Sequence, residues 1–379
     1  MKTAKYKISH YARNDNTYLI RVLLVLVLTT NLLSACSDKN ETASLEEIYQ
    51  PDEASLSKKA VANFEQLLED YKTTYVTRGA HAKAHACVRA WFNVNHYIEP
   101  SLRHGIFVRP GQQFKSWIRF SNGHFDLSVS KDQKSDARGM AVKILEPPGE
   151  PLQIAANHVA TQDFLMTNSP VFFVENIHDY NDLVAEPAAL LGFIFPSWNP
   201  ATWRLREMSL AKKTLTPPPV SLLAPQYFSI TAYKLGPHNI KFSARPCAGQ
   251  EINSVVNETD PDFLRNNLQE ELEAGEACFD FMVQLQNPEK NMSIEDPTVE
   301  WKESDSPFIP MARITIPAQS FGIPEQMAFC ENLSFAPWHA LPEHRPIGQF
   351  NRIRQQVYPA SSNYRHSHNQ TQIPVDIAW

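Results

Sequence analysis

The chain has 379 residues, of which 43% are hydrophobic and 11% aromatic, and its 35 basic and 41 acidic side chains give a net charge of −6. This apolar content is enough for a large core, so global disorder is excluded. The excess of acidic residues argues against a nucleic-acid partner. Prolines outnumber glycines by 28 to 12, which predicts long irregular connections rather than a compact α/β repeat.

The N-terminal region has the pattern of an export signal. Five basic residues precede a short apolar run at residues 22–28, which falls short of the ~20 apolar residues of a membrane span. The sequence Leu-Ser-Ala-Cys at residues 33–36 resembles a bacterial lipobox. It predicts a cleaved signal peptide (residues 1–35) and a lipid anchor on Cys36, and the serine that follows favours the outer membrane. An uncleaved anchor helix is the alternative.

The remaining chain divides into a polar tether (residues 36–55) and one domain (residues 56–379). Loss of residues 1–35 removes five basic residues and one acidic residue, leaving 30 against 40 and a net charge near −10. Four cysteines remain, none in a CxxC pair, so neither a zinc ribbon nor a thioredoxin site is indicated. In an oxidising periplasm they allow up to two disulfides with three possible pairings, which the sequence does not resolve. They are Cys87, Cys247, Cys278 and Cys330.

Hydrophobic periodicity divides the domain into strand and helix segments. Helices are predicted over residues 56–71, 176–191 and 203–213 and between Pro261 and Gly275. Strands are predicted over residues 87–94, 117–122, 136–144, 228–233, 240–244, 279–285 and 312–316. Strands in series, interrupted by helical blocks, argue for an α+β fold built on an antiparallel β-barrel.

Two histidines, His81 and His85, are the first candidate site residues. Their spacing of four would suit a metal on a helix, but the segment that follows has a strand pattern, where residues an even number apart also share a face. No Glu-x-x-His companion lies nearby, so a zinc site is weakly supported.

The polar pair Thr167 and Asn168 interrupts a very apolar run at residues 161–173. Buried polar groups need hydrogen-bond partners. The pair is therefore either satisfied structurally or faces a cavity, and the sequence leaves both readings open.

A helical stretch near the C-terminus, residues 350–366, carries the last candidates. Offsets of four and eleven residues place Arg354, Tyr358 and Arg365 on one helix face. An arginine one turn from a tyrosine favours the phenolate, the form that can bind ferric iron as an axial haem ligand. The alternative is a surface helix on which Tyr358 packs against the arginine stems.

Five stretches, in the same order along the chain, resemble motifs of the catalase family, and more closely its small catalase-related members. They are residues 78–83 (RGAHAK), 119–121 (RFS), 136–143 (DARGMAVK), 168–173 (NSPVFF) and the helix with Arg354, Tyr358 and Arg365. The resemblance covers most of the chain after the signal. It implies a catalase-like barrel with surrounding helices, a C-terminal proximal helix that binds the iron, and haem b as cofactor.

On the distal side of the haem, where peroxide binds, the resemblance implies that His81 moves a proton between the two peroxide oxygens. Ser121 would orient the imidazole, and Thr167 and Asn168 would lie beside it. Aligning Pro170 with the family's proline places Thr167 where true catalases carry an asparagine amide. A threonine hydroxyl is shorter and differently placed. The resemblance therefore favours a peroxidase, or turnover of organic or fatty-acid hydroperoxides, over fast dismutation of hydrogen peroxide.

On the proximal side, the resemblance makes Tyr358 the axial ligand of the haem iron, with Arg354 keeping it ionised. Arginine geometry suits the paired oxygens of a carboxylate. The other cofactor-binding residues that it implies are Arg78, Arg119 and Arg365 for the haem propionates and Tyr180 for an aromatic contact with the porphyrin.

The predicted function is a haem-dependent, lipid-anchored oxidoreductase that decomposes hydrogen peroxide or reduces organic hydroperoxides and protects the cell envelope. The expected partners are a peroxide substrate, the membrane through Cys36, and further copies of the chain. Two alternatives remain: rearrangement of lipid hydroperoxides, as in the related allene oxide synthases, and a non-enzymatic haem-binding lipoprotein. A carrier needs no distal base, so His81 argues against the second alternative.

Overall fold

A computed structural model describes residues 43–185 and 190–377 of the chain. The predicted signal peptide (residues 1–35), the predicted lipidation site Cys36 and the first part of the predicted tether lie outside the described residues. Within the described parts, no helix combines the length and the apolar character needed to cross a membrane. The described residues cover nearly all of the predicted domain and the end of the tether.

An antiparallel sheet closes into the predicted β-barrel. Its strands in the described residues are β1 (Ala84–Val94), β2 (Gln113–Asn122), β3 (Arg138–Leu145), β4 (Thr161–Thr167), β5 (Tyr227–Phe228), β6 (Tyr233–Leu235), β7 (His238–Pro246), β8 (Ala277–Leu285) and β9 (Phe308–Ile316). The order is β5-β4-β3-β2-β1-β9-β8-β7-β6, and a pairing of β5 with β7 closes the barrel. The strand predicted over residues 228–233 is two short strands instead, because Ile230 adopts a positive φ of 61° that interrupts extended geometry.

Phenylalanine side chains fill the barrel interior. The rings of Phe92, Phe164, Phe242 and Phe281 pack at centroid separations of 4.7–6.2 Å. Full burial of each such side chain contributes about 1.5–3 kcal/mol. Because successive residues of a strand point to opposite faces, their sequence neighbours point outward from the barrel. The packed interior leaves the outer face of the sheet for a site.

Helices flank the barrel. Those in the described residues are α1 (Glu53–Asp70), α2 (Ile177–Ala185), α3 (Leu190–Ile194), α4 (Leu205–Thr214), α5 (Phe263–Ala274), α6 (Pro324–Asn332) and α7 (Gln349–Asn369). Helix α7 contains the predicted C-terminal helix. Helix α6 was not predicted, and the reason is that Cys330 is its one buried residue. A helix without an apolar face leaves no periodic signal in the sequence.

The cysteine pairing that the sequence left open is Cys87 with Cys330 and Cys247 with Cys278. The first disulfide links β1 to α6 across 243 residues of sequence, and the second links the end of β7 to β8 across 31 residues. A longer closed loop restricts the unfolded chain more. The first disulfide is therefore expected to contribute more to stability.

The end of the predicted tether is packed against the domain. Glu47, Glu53 and Glu295 surround the guanidinium of Arg352 on α7, at N–O distances of 2.9, 2.5 and 3.0 Å, and we call this group the acidic clasp. Burial alone would lower the pKa of Arg352, but hydrogen bonds to Glu53 and Glu295 raise it, so the side chain stays charged. Glu47 also accepts the N–H of Gly348 at 3.0 Å. The clasp fixes the start of the helix that carries Tyr358.

Candidate active site

The backbone of His81, in the loop before β1, is held in an unusual conformation. Its N–H donates to the carbonyl of Gly123 at 3.0 Å, and its carbonyl accepts a hydrogen bond from Arg119 Nη2 at 2.8 Å. Its φ is 54°, in the left-handed region that residues with a side chain rarely adopt. Such a conformation costs about 1–3 kcal/mol and persists where the surroundings impose it. The loop therefore presents His81 in one fixed orientation.

The imidazole of His81 packs against strands β2 and β3. Its Nδ1 atom lies 3.1 Å from Ser121 Oγ on β2, the contact that the family resemblance implies for this pair. Ser121 pairs with Gly139 on β3. A Cβ atom at Gly139 would lie 2.6 Å from the imidazole Nδ1 and 2.7 Å from Ser121 Oγ, so a side chain at this position would displace the ring.

Burial and neighbouring cations keep His81 neutral. Its pKa is lowered to about 4, chiefly by burial and then by the charge of Arg119, with smaller effects from Arg354 and Arg78. The backbone carbonyl of Asn122 acts in the opposite direction but does not outweigh them. The side chain is nevertheless partly exposed. At neutral pH the imidazole can therefore accept a proton from a neighbouring molecule.

Asp136 holds the loop that supports His81. One of its carboxylate oxygens accepts the N–H groups of Gly123 and His124, both at 3.0 Å. The Gly123 carbonyl in turn accepts the N–H of His81. The position of His81 thus depends on Asp136 through one intervening residue.

Thr167 lies in line with the histidine site. It pairs with Gly139, so Ser121, Gly139 and Thr167 form a row across β2, β3 and β4. Directly opposed residues of an antiparallel pair have side chains on the same face. Thr167 is half-buried, and its hydroxyl makes only a 3.5 Å contact with the carbonyl of Ser169. It is therefore free to donate to a molecule beside His81.

Asn168 uses its amide within the protein. Its Oδ1 atom accepts the N–H of Arg138 at 2.7 Å, and its Nδ2 atom donates to Thr216 Oγ1 at 3.0 Å. Of the two polar residues predicted here, Thr167 is the one whose polar group is not already paired by a short hydrogen bond.

The two histidines considered as a zinc pair have separate environments. His85 is fully buried, and its Nε2 atom lies 2.8 Å from Asn122 Oδ1, whereas His81 contacts Ser121. Across the described residues, no group of three or more His, Cys, Asp or Glu side chains is arranged to hold a metal ion.

Arg354 and Tyr358 lie one turn apart on α7. Arg354 Nη1 donates to Thr231 Oγ1 and Asn351 Oδ1, both at 3.3 Å. Burial alone would lower the pKa of Arg354, but the neighbouring phenols, Tyr358 first among them, raise it. The same cation lowers the pKa of His81, so α7 and the His81 loop lie close together. In the described parts of the chain, the half-buried Tyr358 hydroxyl has no hydrogen-bond partner.

Aromatic rings lie in the same region. The ring of Tyr180 on α2 lies 5.4 Å from that of Phe350 and 6.3 Å from that of Phe172, between centroids. Burial raises the pKa of Tyr180, although the charge of Arg354 opposes the effect. Tyr233 is a further neighbour, with a pKa raised by burial to about 12 against the same opposing charge. Tyr180 and Phe172 remain partly exposed.

Arg78, Arg119 and Arg365, which we call the arginine cluster, converge at the end of α6. Arg78 Nη1 lies 2.7 Å from Glu331 Oε2, and Arg365 Nη1 lies 3.5 Å from Glu331 Oε1. Burial, together with repulsion from Arg78 and Arg365, holds the pKa of Arg119 well below its ordinary value. Its buried Nε atom has no hydrogen-bond partner among the described residues. Three guanidinium groups face one carboxylate here, and this excess of positive charge suits two further carboxylates.

Three residues that position the site were not assigned roles from the sequence. A glycine inside a strand often marks a close approach of other groups, and this signal could have identified Gly139. Asp136 and Glu331 act through contacts between segments that are distant in sequence. Periodicity and motif spacing do not record such contacts.

The catalase family model matches residues 238–378 of the chain. A catalase-related peroxidase from Mycolicibacterium paratuberculosis is 26% identical over 216 residues, which cover 55% of this chain and 65% of that protein. Catalase C from Rhizobium meliloti is 25% identical over 290 residues, which cover 66% of this chain and 38% of that protein. The chain therefore spans less than two thirds of the length of either relative.

Solved catalase structures share the fold. A fungal catalase superposes with a TM-score of 0.59 at 18% identity, covering 80% of this chain and 61% of that one. Catalase A from Saccharomyces cerevisiae gives 0.58 at 18% identity, covering 81% and 65%. The family model, the two relatives and the solved structures all relate this chain to catalases. Residues 238–378 are similar to the catalase family, and the described residues have the catalase fold.

Proposed function

We propose that the chain is a haem-dependent oxidoreductase that decomposes hydrogen peroxide or reduces organic hydroperoxides, and that it protects the cell envelope from these oxidants. The observation that carries the proposal is the neutral imidazole of His81, which is fixed by Ser121 against Gly139 and feels the charge of Arg354. Cleavage of a peroxide requires a positioned base of this kind.

The residues present fit a haem group. Tyr358 offers a phenol oxygen with no hydrogen-bond partner in the described residues, and Arg354 lies one turn away on the same helix. The arginine cluster offers positive charge for two propionates, and the half-buried ring of Tyr180 offers an apolar contact. Catalase-family proteins generally bind haem, and we propose haem b here. When bound, the haem would supply an iron centre that donates electrons to the peroxide O–O bond as it breaks.

His81 would move the substrate proton. With its own proton on Nδ1, donated to Ser121 Oγ, the imidazole has a free lone pair on Nε2 that can take the proton from one peroxide oxygen. Delivery of that proton to the other oxygen lets it leave as water or as an alcohol. Burial and the charges of Arg119 and Arg354 disfavour a protonated imidazole, and both effects favour this second transfer.

The hydroxyl of Thr167 affects which peroxide the protein is expected to consume fastest. Its hydroxyl can donate one hydrogen bond, whereas an amide at the same position would donate two. The amide of Asn168 is already bound to Arg138 and Thr216 and does not replace it. We infer that dismutation of hydrogen peroxide is slow here. Reduction of an organic hydroperoxide, with two electrons from a donor, would be faster.

An absorption spectrum of the purified protein, reconstituted with ferric haem, is the first test. We expect a Soret band, reductant-dependent consumption of cumene hydroperoxide and little oxygen release from hydrogen peroxide. Thr167→Asn is expected to increase oxygen release several-fold, while Thr259→Asn on an exposed turn serves as the control. A haem-loaded protein that consumes neither peroxide would refute the proposal. A rearranged product formed without reductant would favour the lipid-hydroperoxide alternative.

We further propose that the mature protein begins at Cys36, is lipid-anchored in the periplasm at the outer membrane, and forms homo-oligomers. The Leu-Ser-Ala-Cys sequence supports the anchor, and two disulfides support an oxidising compartment. Labelling of cells with a radioactive fatty acid should mark the wild-type protein and not Cys36→Ala. An unlabelled wild-type protein would contradict the anchor.

A further inference from the structure

We infer that the Cys87–Cys330 disulfide positions the arginine cluster, and that the protein retains haem firmly only when this disulfide has formed. The haem part of the inference rests on the proposed function. The positioning part concerns the protein alone. Each cysteine of the disulfide neighbours one half of the cluster.

The first half is on the barrel. Cys87 on β1 pairs directly with Arg119 on β2, and their exposed fractions are 0% and 4%. Directly opposed residues have Cβ atoms about 4.5–5.5 Å apart on the same face. A shift of Cys87 is therefore transmitted to Arg119, the cluster member with the unpaired Nε atom.

The second half is at the end of α6. Arg78 Nη2 donates to the carbonyls of Cys330, Glu331 and Leu333 at 3.2, 3.0 and 2.7 Å. Arg365 Nη1 donates to the Glu331 carbonyl at 2.6 Å. Both guanidinium groups thus take their positions from the last turn of α6, where Cys330 is located.

Besides the disulfide and the two arginines, polar and aromatic contacts hold α6 against the barrel. All nine of its residues are described, and Cys330 is the one that is buried. Gln326 Nε2 donates to the Cys87 carbonyl at 2.7 Å, and the ring of Phe329 packs on Trp117 at 4.9 Å. A helix of this length is not stable alone in water. The covalent link to β1 therefore acts together with the hydrogen bonds from Arg78, Arg365 and Gln326 to fix its position.

Loss of the disulfide would let the two halves of the cluster separate. Like charges repel, so the three guanidinium groups themselves favour this separation. Glu331 and the carbonyls of α6 would move away from β1, and the three cations would no longer match two carboxylates. A haem held in part by these cations would be released faster. In the cell, the chain would then load haem firmly only after export to a compartment where disulfides form.

A pair of double variants tests the inference. Cys87→Ala/Cys330→Ala removes the disulfide at the cluster, and Cys247→Ala/Cys278→Ala removes the one between β7 and β8 as the matched control. Haem loss is followed as transfer of ferric haem to excess apomyoglobin, below the melting temperature of every protein compared. We expect transfer at least about tenfold faster for the first variant and within about twofold of wild type for the second. Equal rates for all three proteins would overturn the inference.

Hydrogen exchange on the haem-free proteins gives a readout that needs no cofactor. Amides of residues 324–333 should exchange faster in the first variant only, and unchanged exchange there would also overturn the positioning argument. Should the alanine pair fail to fold, the Cys247→Ala/Cys278→Ala protein refolded with Cys87 and Cys330 reduced replaces it in both measurements. A wild-type protein that binds no haem would refute the proposed function, whereas the exchange experiment would still decide the role of the disulfide.

Discussion

Gly139→Ala is the substitution that tests the geometry of the site most directly. Gly139 lies on β3 opposite Ser121, and its backbone leaves the space in which the imidazole of His81 lies. The added methyl group would approach Nδ1 of His81 to 2.6 Å. Ordinary carbon contacts begin near 3.4 Å, so the ring would have to move by the difference, about 0.8 Å.

The size of the expected loss of activity depends on whether the backbone or the side chain of His81 moves. The backbone of His81 is held by Gly123 and Arg119, whereas the imidazole can rotate away. That rotation breaks the contact with Ser121, and losing one hydrogen bond of this kind costs about 0.5–1.5 kcal/mol. Misplacement of a catalytic group by 1 Å can reduce a rate about 10²-fold. We therefore expect the rate of peroxide consumption to fall about 10- to 100-fold. The free energy of unfolding should fall by only about 1–2 kcal/mol.

The assay compares Gly139→Ala with Gly275→Ala. A Cβ atom at Gly275 meets nothing within 4 Å, and its φ of −177° is open to any residue. Peroxide consumption is measured on haem-loaded protein, with the Soret band as a measure of loading and urea unfolding as a measure of stability. The Gly139→Ala protein should load haem normally, because the proposed iron ligand Tyr358 lies on a different element, α7. Full activity in Gly139→Ala would refute the assigned role of His81, and a similar loss in both variants would refute the steric argument.

Three further results are expected. His81→Ala should lose about 10²–10⁴-fold in peroxide consumption at unchanged haem content, because it removes the proton-transfer group; activity within tenfold of wild type would exclude His81 as that group. Tyr358→Phe should lose tight haem binding, since it removes the one oxygen proposed to bind iron, and an unchanged Soret position and affinity would count against ligation. Stability should fall with acid, because burial lowers the pKa values of His81 and His85 to about 4 and that of His344 to about 3. Between about pH 6.5 and 4, these histidines bind protons in the unfolded chain but not in the folded chain. The urea concentration at the unfolding midpoint should therefore decline over this pH range. A constant midpoint would show that these histidines are charged in the folded state.

The barrel could be predicted because its strands alternate apolar and polar residues. The strict alternation over residues 279–285 corresponds to β8, which extends from Ala277 to Leu285. Helix α5 was predicted between Pro261 and Gly275, and it runs from Phe263 to Ala274. In such segments one face packs on the core, so local pattern and tertiary environment agree.

Other features depend on contacts that a local pattern does not contain. The cysteine pairing needs the distance between β1 and α6, and α6 itself has no apolar face. At the site, His81 Nδ1 lies beside Ser121 Oγ, which is the contact that the resemblance implied. The different fates of Thr167 and Asn168 follow from strand register, since a shift of one residue along β4 reverses the direction of the side chain.

The acidic clasp determines where the folded unit begins, and so where an expressed chain can start. Helical periodicity begins at residue 56, yet Glu47 and Glu53 precede it and bind Arg352. A recombinant protein begun at residue 56 would leave this buried guanidinium with Glu295 alone, and breaking buried ion pairs of this kind costs about 3–5 kcal/mol. Arg352 is two residues from Arg354, so the damage would reach the helix that carries Tyr358. A soluble form intended for haem reconstitution should therefore keep the chain from residue 43 onward, which preserves every clasp residue.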